Sequence, residues 1–285
     1  MNLEELEPII EAALREDMPR GDITSENIIP PDSVSEAVIL AKQAGVLAGL
    51  GVARRVFEKV NPAIGFLPLF EDGQPFCKGD ILAEVKGNSV ALLKGERTAL
   101  NFLQRMSGIA TTTQEYVQAA RGTKAKILDT RKTTPGLRAI EKYAVRMGGG
   151  ENHRLNLSEM VLIKDNHLDI AAKRWPKDDP IKRAMKAAKA KASGSMLIEV
   201  EVVNLDQVKS AIEAGGDMIL LDNMTLDQMT KAVKLVKASS RKILTEASGG
   251  VKLDTVRQIA QTGVDRISIG ALTHSARALD IALEM

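Results

Sequence analysis

Six short apolar runs in the second half of this 285-residue chain end in polar residues, at positions 126–131, 160–165, 197–201, 218–222, 242–248 and 266–270. In order, their ends carry Arg131-Lys132, Lys164-Asp165-Asn166-His167, Glu201, Asp222-Asn223, Ser248-Gly249-Gly250 and Gly270-Ala271. Cations come first, then two carboxylates, then two glycine-containing turns. His153 and Arg154 add donors at the end of the glycine-rich loop 147–154. Guanidinium forks match carboxylates and phosphates in a bidentate way. The expected ligand is therefore strongly anionic, with several carboxylates or phosphates. Lys164 directly ends an apolar run, which a solvated basic surface explains poorly. Arg138 and Arg146 fit a solvated helix and stay outside the set.

Glu201 and Asp222 lie on consecutive runs. Such a pair suits a Mg²⁺ ion shared with substrate phosphates, because Mg²⁺ takes a few carboxylates plus substrate oxygens. It equally suits stabilisation of positive charge developing on a sugar carbon, or ion pairing with neighbouring lysines and arginines. Strand alternation puts Glu199 on the same face as Glu201, one step further from the tip. The turns at Ser248, Gly249, Gly250 and at Ile269, Gly270, Ala271 suit a phosphate, since glycine lets backbone N–H groups approach an anion closely. His153, His167 and His274 lack transition-metal spacing, and the one cysteine, Cys77, has no adjacent base and reads as a small core or loop residue.

These ends converge only if the runs are strands of one parallel sheet. Helical patterns at 205–214, 226–238 and 253–262 separate them, and this alternation predicts βαβ units. About 160 residues is short for an eight-fold barrel, which takes ~250, so a six- or seven-stranded open α/β barrel is expected. A doubly wound sheet ranks lower, because no strand is followed by G-x-G-x-x-G. In such barrels the site gathers at the C-terminal strand ends. The first ~105 residues read instead as a mixed α+β unit. The spacing predicts a helix over 3–16, a turn at 18–22, a strand over 35–42, a helix over 51–60 stopped by Asn61-Pro62, short strands within 73–87, and a helix over 89–107. Residues 173–191 hold eight basic and two acidic residues and read as a solvated basic helix.

Composition excludes several classes. Apolar residues make up 44% and charged residues 27%, which excludes fibrous and disordered chains. The net charge of +2 and 3% aromatics give no support for nucleic-acid binding. A single cysteine permits no internal disulfide, and the acidic start Met1-Asn-Leu-Glu-Glu lacks the pattern of a signal peptide. No apolar run approaches the ~20 residues of a membrane helix. A cytoplasmic protein without membrane or nucleic-acid partners is expected.

Several segments resemble one family, in register over nearly the whole chain. They are Gly95-Glu-Arg-Thr98, Asp129-Thr-Arg-Lys-Thr-Thr-Pro-Gly136, Gly148-Gly-Gly-Glu-Asn-His-Arg154, Leu162-Ile-Lys-Asp-Asn-His167, Ile198-Glu-Val-Glu201, Leu221-Asp-Asn223, Glu246-Ala-Ser-Gly-Gly250 and Gly270-Ala-Leu-Thr-His274. Together they resemble quinolinate phosphoribosyltransferase, the carboxylating nicotinate-nucleotide pyrophosphorylase. The resemblance implies an N-terminal α/β sandwich domain over 1–108, a barrel over 109–272, and a tail 273–285 that packs back on the first domain. It implies transfer of phosphoribose from phosphoribosyl pyrophosphate to quinolinate, giving nicotinate mononucleotide, pyrophosphate and CO₂. Arg131, Lys132, His153, Arg154 and Lys164 would then bind the dicarboxylate and pyrophosphate, together with Thr130 beside them. Glu201 and Asp222 would face ribose and Mg²⁺, and residues 248–250 and 269–271 would hold the 5′-phosphate. A homodimer, or a hexamer of dimers, is implied, with Arg97 supplied to the neighbouring site. The stretch 175–195 is longer and richer in lysine than the family's usual link. A nicotinate phosphoribosyltransferase of the same fold and a non-catalytic relative associated with molybdenum transport are the rivals.

Overall fold

The computed structural model describes residues 6–192, 194 and 196–285. The elements begin with α1 (Glu7–Asp17), α2 (Ile23–Ile28), β1 (Val34–Ala41), β2 (Gly45–Val46), α3 (Leu50–Val60) and β3 (Gly65–Pro68). Next come β4 (Pro75–Phe76), β5 (Ile81–Asn88), α4 (Ser89–Ala119), β6 (Lys126–Leu128), α5 (Arg138–Met147), β7 (Val161–Ile163) and α6 (Asp165–Arg174). The remainder is α7 (Pro180–Lys191), β8 (Ile198–Val202), α8 (Leu205–Ala214), β9 (Met218–Asp222), α9 (Leu226–Ala238), β10 (Leu244–Ser248), α10 (Val256–Gln261), β11 (Arg266–Ser268), α11 (Ala271–His274) and β12 (Ile281–Glu284).

Two compact units result. The first takes the chain up to Gln114, Lys132–Gly150 and Leu272–Met285. Its antiparallel sheet has the order β12-β1-β5-β3. Alternation buries Ala37, Ile39 and Ala41 on one face of β1. Helix α3 buries Val52, Ala53, Val56 and Phe57 and stops before Pro62, as its sequence predicts. Helix α1 ends one residue beyond expectation, and residues 3–5 lie outside the described residues.

Helix α4 runs twelve residues past the predicted stop. Gly108 looks like a terminator but serves close packing, since a Cβ there would meet the Arg277 carbonyl oxygen at 1.9 Å. Further along this unit, Glu141 is fully buried and accepts from Arg105 at 2.8 Å and from the Thr134 N–H and hydroxyl at 3.1 and 2.8 Å. The Thr273 hydroxyl donates to the Lys132 carbonyl at 2.8 Å. Together these bonds fix the backbone that carries Lys132. Cys77 is exposed, in the turn before β5.

The second unit comprises Glu115–Arg131 and Glu151–Ala271. Its six strands are parallel, in the order β6-β11-β10-β9-β8-β7. That order is cyclic with one break, between β6 and β7. A doubly wound sheet would reverse direction partway across; this sheet winds one way only, as an open α/β barrel. Helices α8 and α9 cover the residues that sequence periodicity predicts. Asn204 and Thr225 cap their N-termini, and Gly215 closes α8 in the left-handed region. The strands β6, β7 and β11 end two or three residues earlier than their apolar runs, because the tip residues leave the ladder. The basic stretch forms two helices rather than one. Asp179 caps α7, with Pro180 in its first turn, and the Trp175 ring lies 4.5 Å from the Arg183 guanidinium. Among the described residues no helix is long and apolar enough to cross a membrane.

Candidate active site

The chain leaves β6 through Asp129, which is fully buried. Its carboxylate accepts from the Asn152 amide at 2.6 Å and from the His153 N–H at 2.9 Å. A buried carboxylate needs such donors. The Glu151 N–H reaches the Ile127 carbonyl at 2.8 Å, and the Asp129 N–H reaches the Glu151 carbonyl at 3.2 Å. Segment 151–154 therefore pairs with the free edge of β6 and fills the break in the barrel. On its other side, Arg154 donates to the Met160 carbonyl, just before β7, at 3.0 Å. Burial and the nearby positive charge of Arg131 lower the Arg154 pKa, with Glu199 opposing. Each of two like charges that act on one another gains from an anion nearby.

Glu201, at the end of β8, is half-buried. Burial and the negative charge of Asp222 raise its pKa, while Lys164 and the Asp165 N–H pull it down. Lys164 and Asp222 thus both act on Glu201, with opposite signs. Lys164 is exposed, and its backbone N–H donates to His167 Nδ1 at 2.9 Å, which fixes the start of α6. Asp222 accepts from the Asn223 amide at 2.7 Å. Asn223 has φ 51° and donates its N–H to the Ser248 carbonyl at 3.0 Å, tying the β9 and β10 tips together. Gly249 has φ 96°, and a Cβ there would meet the Asn223 side-chain oxygen at 2.3 Å. Gly250 also has positive φ, with open space where a side chain would stand. The Ile269 N–H donates to the Leu128 carbonyl at 2.9 Å, and Gly270 and Ala271 follow, half-buried. Thr130 is likewise half-buried.

In the second unit Arg131 and Lys164 follow the ends of β6 and β7, Glu201 and Asp222 stand at the ends of β8 and β9, the glycine turns follow β10 and β11, and Arg154 ends the segment that pairs with β6. Lys132 and Arg97 belong to the first unit; both are exposed, and Arg97 lies on α4.

His153 has a different setting. Its Nε2 lies 3.2 Å from Glu199 and 3.4 Å from Glu246, and both carboxylates are fully buried. Its Nδ1 accepts the Arg154 backbone N–H at 2.8 Å. Both ring nitrogens are engaged inside the protein. Burial disfavours the charged ring, but the two carboxylates outweigh it and push the His153 pKa up to about 9. The N–H aimed at Nδ1 opposes a second proton there, so Nε2 is the nitrogen that carries a proton in either charge state. Burial, and then the negative charge of Glu246, raise the pKa of Glu199.

The pattern of tips did not single out Glu246 or Asp129. A usable signal existed: Glu246 stands two residues behind Ser248, as Glu199 stands two behind Glu201, and alternation points all four inward.

Comparison with known proteins adds an independent finding. The family model "Quinolinate phosphoribosyl transferase, C-terminal domain" matches residues 109–284, and its N-terminal counterpart matches 22–107. The nicotinate-nucleotide pyrophosphorylase (carboxylating) of Mycobacterium leprae is 43% identical over 97% of this chain and 95% of its own. A quinolinate phosphoribosyltransferase (decarboxylating) of Nicotiana glauca is 40% identical over 99% of this chain and 82% of its own. The solved structure of NadC from Streptococcus pyogenes superposes with a TM-score of 0.94, at 39% identity, covering 100% of this chain and 97% of that one.

Proposed function

The chain belongs to the quinolinate phosphoribosyltransferase family, and from its strand-tip chemistry we propose how it carries out the family's reaction. That reaction moves phosphoribose from phosphoribosyl pyrophosphate to quinolinate, giving nicotinate mononucleotide, pyrophosphate and CO₂. The observation that carries the reading is the pairing of opposite needs at one barrel mouth. Arg131 and Arg154 repel each other on one side, and Glu201 and Asp222 repel each other on the other. A dicarboxylate relieves the first pair, and a ribose carbon gaining positive charge relieves the second.

Arg131, Arg154 and Lys164, with Lys132, bind the pyridine carboxylates and the pyrophosphate. Arg97 reaches the site of a second copy in a homodimer. The turns 248–250 and 269–271 take the 5′-phosphate, and Thr130 stays with the groups that bind the dicarboxylate and pyrophosphate. Glu201 and Asp222 offer hard oxygen donors whose mutual repulsion a cation would relieve, which fits Mg²⁺. Held there with the donor's pyrophosphate, Mg²⁺ would supply charge neutralisation at the leaving group.

As the C1′–oxygen bond breaks, positive charge grows on the ribose, and the two carboxylates lower that cost. The pyridine nitrogen then attacks C1′ with its lone pair. It carries no proton, so no protein base is required. The quaternised nitrogen stabilises the carbanion left at the adjacent carbon when CO₂ departs, and that carbon then takes up a proton.

Quinolinate and nicotinate, each supplied with phosphoribosyl pyrophosphate and Mg²⁺, separate this reading from its nearest rival. Quinolinate should release one CO₂ and one pyrophosphate per turnover, and nicotinate neither. Preferential use of nicotinate without CO₂ would overturn the assignment.

A further inference from the structure

Behind the mouth lies a cluster with the composition of a metal site. His153, Glu199 and Glu246 bring one ligand atom each within 4.8 Å of the others. One Glu199 oxygen and both Glu246 oxygens are buried without a hydrogen-bond partner. The ring tautomer argues against metal ligation. The only ring nitrogen facing the carboxylates is Nε2, and Nε2 keeps its proton because the Arg154 N–H occupies Nδ1. A protonated nitrogen has no lone pair for an ion. The same geometry suits a donor held between two acceptors.

Two strands and the barrel's filling segment meet at this ring. Glu199 comes from β8 and Glu246 from β10. Arg266, on β11 beside Glu246 in the ladder, adds a positive charge that acts on Glu199. His153 itself belongs to the segment that pairs with β6, and Arg154 carries that segment over to the residue before β7.

Resting on the dicarboxylate reading above, we propose that Glu199 and Glu246 are positioning residues for quinolinate: they grip the His153 Nε2–H from inside the barrel, and the ring's Nδ1 sets the backbone of Arg154 so that its guanidinium meets a substrate carboxylate. His153 then serves the substrate through Arg154 rather than by touching it. One Glu199 oxygen meets the ring at 3.2 Å, while its other oxygen and both Glu246 oxygens have no hydrogen-bond partner, and a ring held at both nitrogens cannot turn over.

The variant Glu246→Gln keeps the side-chain shape and removes one charge. It should raise the KM for quinolinate about tenfold while leaving the KM for phosphoribosyl pyrophosphate nearly unchanged, at a similar melting temperature. A rise in both KM values that tracks a loss of thermal stability, or no change in a folded variant, would overturn the inference. Should Glu246→Gln not fold, ¹⁵N spectra of the wild-type protein decide the matter, because its three histidines can be assigned separately. Above the raised pKa of about 9, where the ring is neutral, Nε2 should be protonated and Nδ1 an acceptor; a neutral ring protonated at Nδ1 would refute the geometry. Wild-type turnover of quinolinate, measured alongside, reports separately on the underlying reaction.

Discussion

At the mouth of the barrel, Glu201 and Asp222 are half-buried, within reach of Lys164 and of whatever enters. One layer deeper, Glu199 and Glu246 are fully buried and face a single ring N–H. Glu199 and Glu201 differ by two positions on one strand, share a face and share a side-chain type. Depth alone divides their duties. At the mouth, repulsion between carboxylates can be relieved by a ligand, so it is available for binding and catalysis. In the interior it must be relieved by the protein itself, so it becomes a means of orienting His153.

Removing the interior donor gives the largest expected change. His153→Leu leaves two buried carboxylates without their N–H, and urea unfolding should show a loss of about 3–5 kcal/mol. A loss under 1 kcal/mol would put the interior and the mouth on the same footing. At the mouth, Glu201→Ala and Asp222→Ala should each lower kcat by about 10²–10³-fold with stability nearly unchanged. If both variants keep near-normal turnover, neither carboxylate serves the ribose.

A pH titration of stability gives an effect of middle size. The folded pKa of His153 is raised from 6.5 to about 9. Its contribution is complete below 6.5 and is lost as pH climbs through about 9, and the raised Glu199 pKa acts in the same sense. The unfolding free energy should therefore fall by about 1–3 kcal/mol across that window. A flat profile would mean that the ring is not held between charged carboxylates. The smallest effect belongs to Gly249→Ala, at a left-handed backbone position facing Asn223. It should cost about 1–2 kcal/mol and weaken binding of the ribosyl donor severalfold, visible in its KM. Unchanged donor binding would remove this turn from the phosphate site.

Much of the scaffold was legible from residue order, and the reasons are local. Helices α8 and α9 carry their own caps and apolar stripes, so their limits could be read directly. The strand tips were legible because polar residues close each apolar run. Helix α4 continues past residue 107, and the reason for Gly108 within it is not local, since it admits the Arg277 backbone from far along the chain. The direction of the His153 ring was hidden, since its partners lie 46 and 93 residues away in sequence. The same holds for the Asp129 carboxylate, whose donors come from a loop more than twenty residues on.

Strand β12 has an implication for how the protein is made. It adds to the outer edge of β1, although some 240 residues separate the two in sequence. A ribosome delivers β1, β5 and β3 early, and then every stave of the parallel barrel, before residues 281–284 leave its tunnel. Through most of synthesis β1 therefore has an uncovered rim that a neighbouring nascent chain could pair with. The first sheet to be translated is thus the last to be finished, which makes slow elongation through the barrel a hazard for the domain that precedes it.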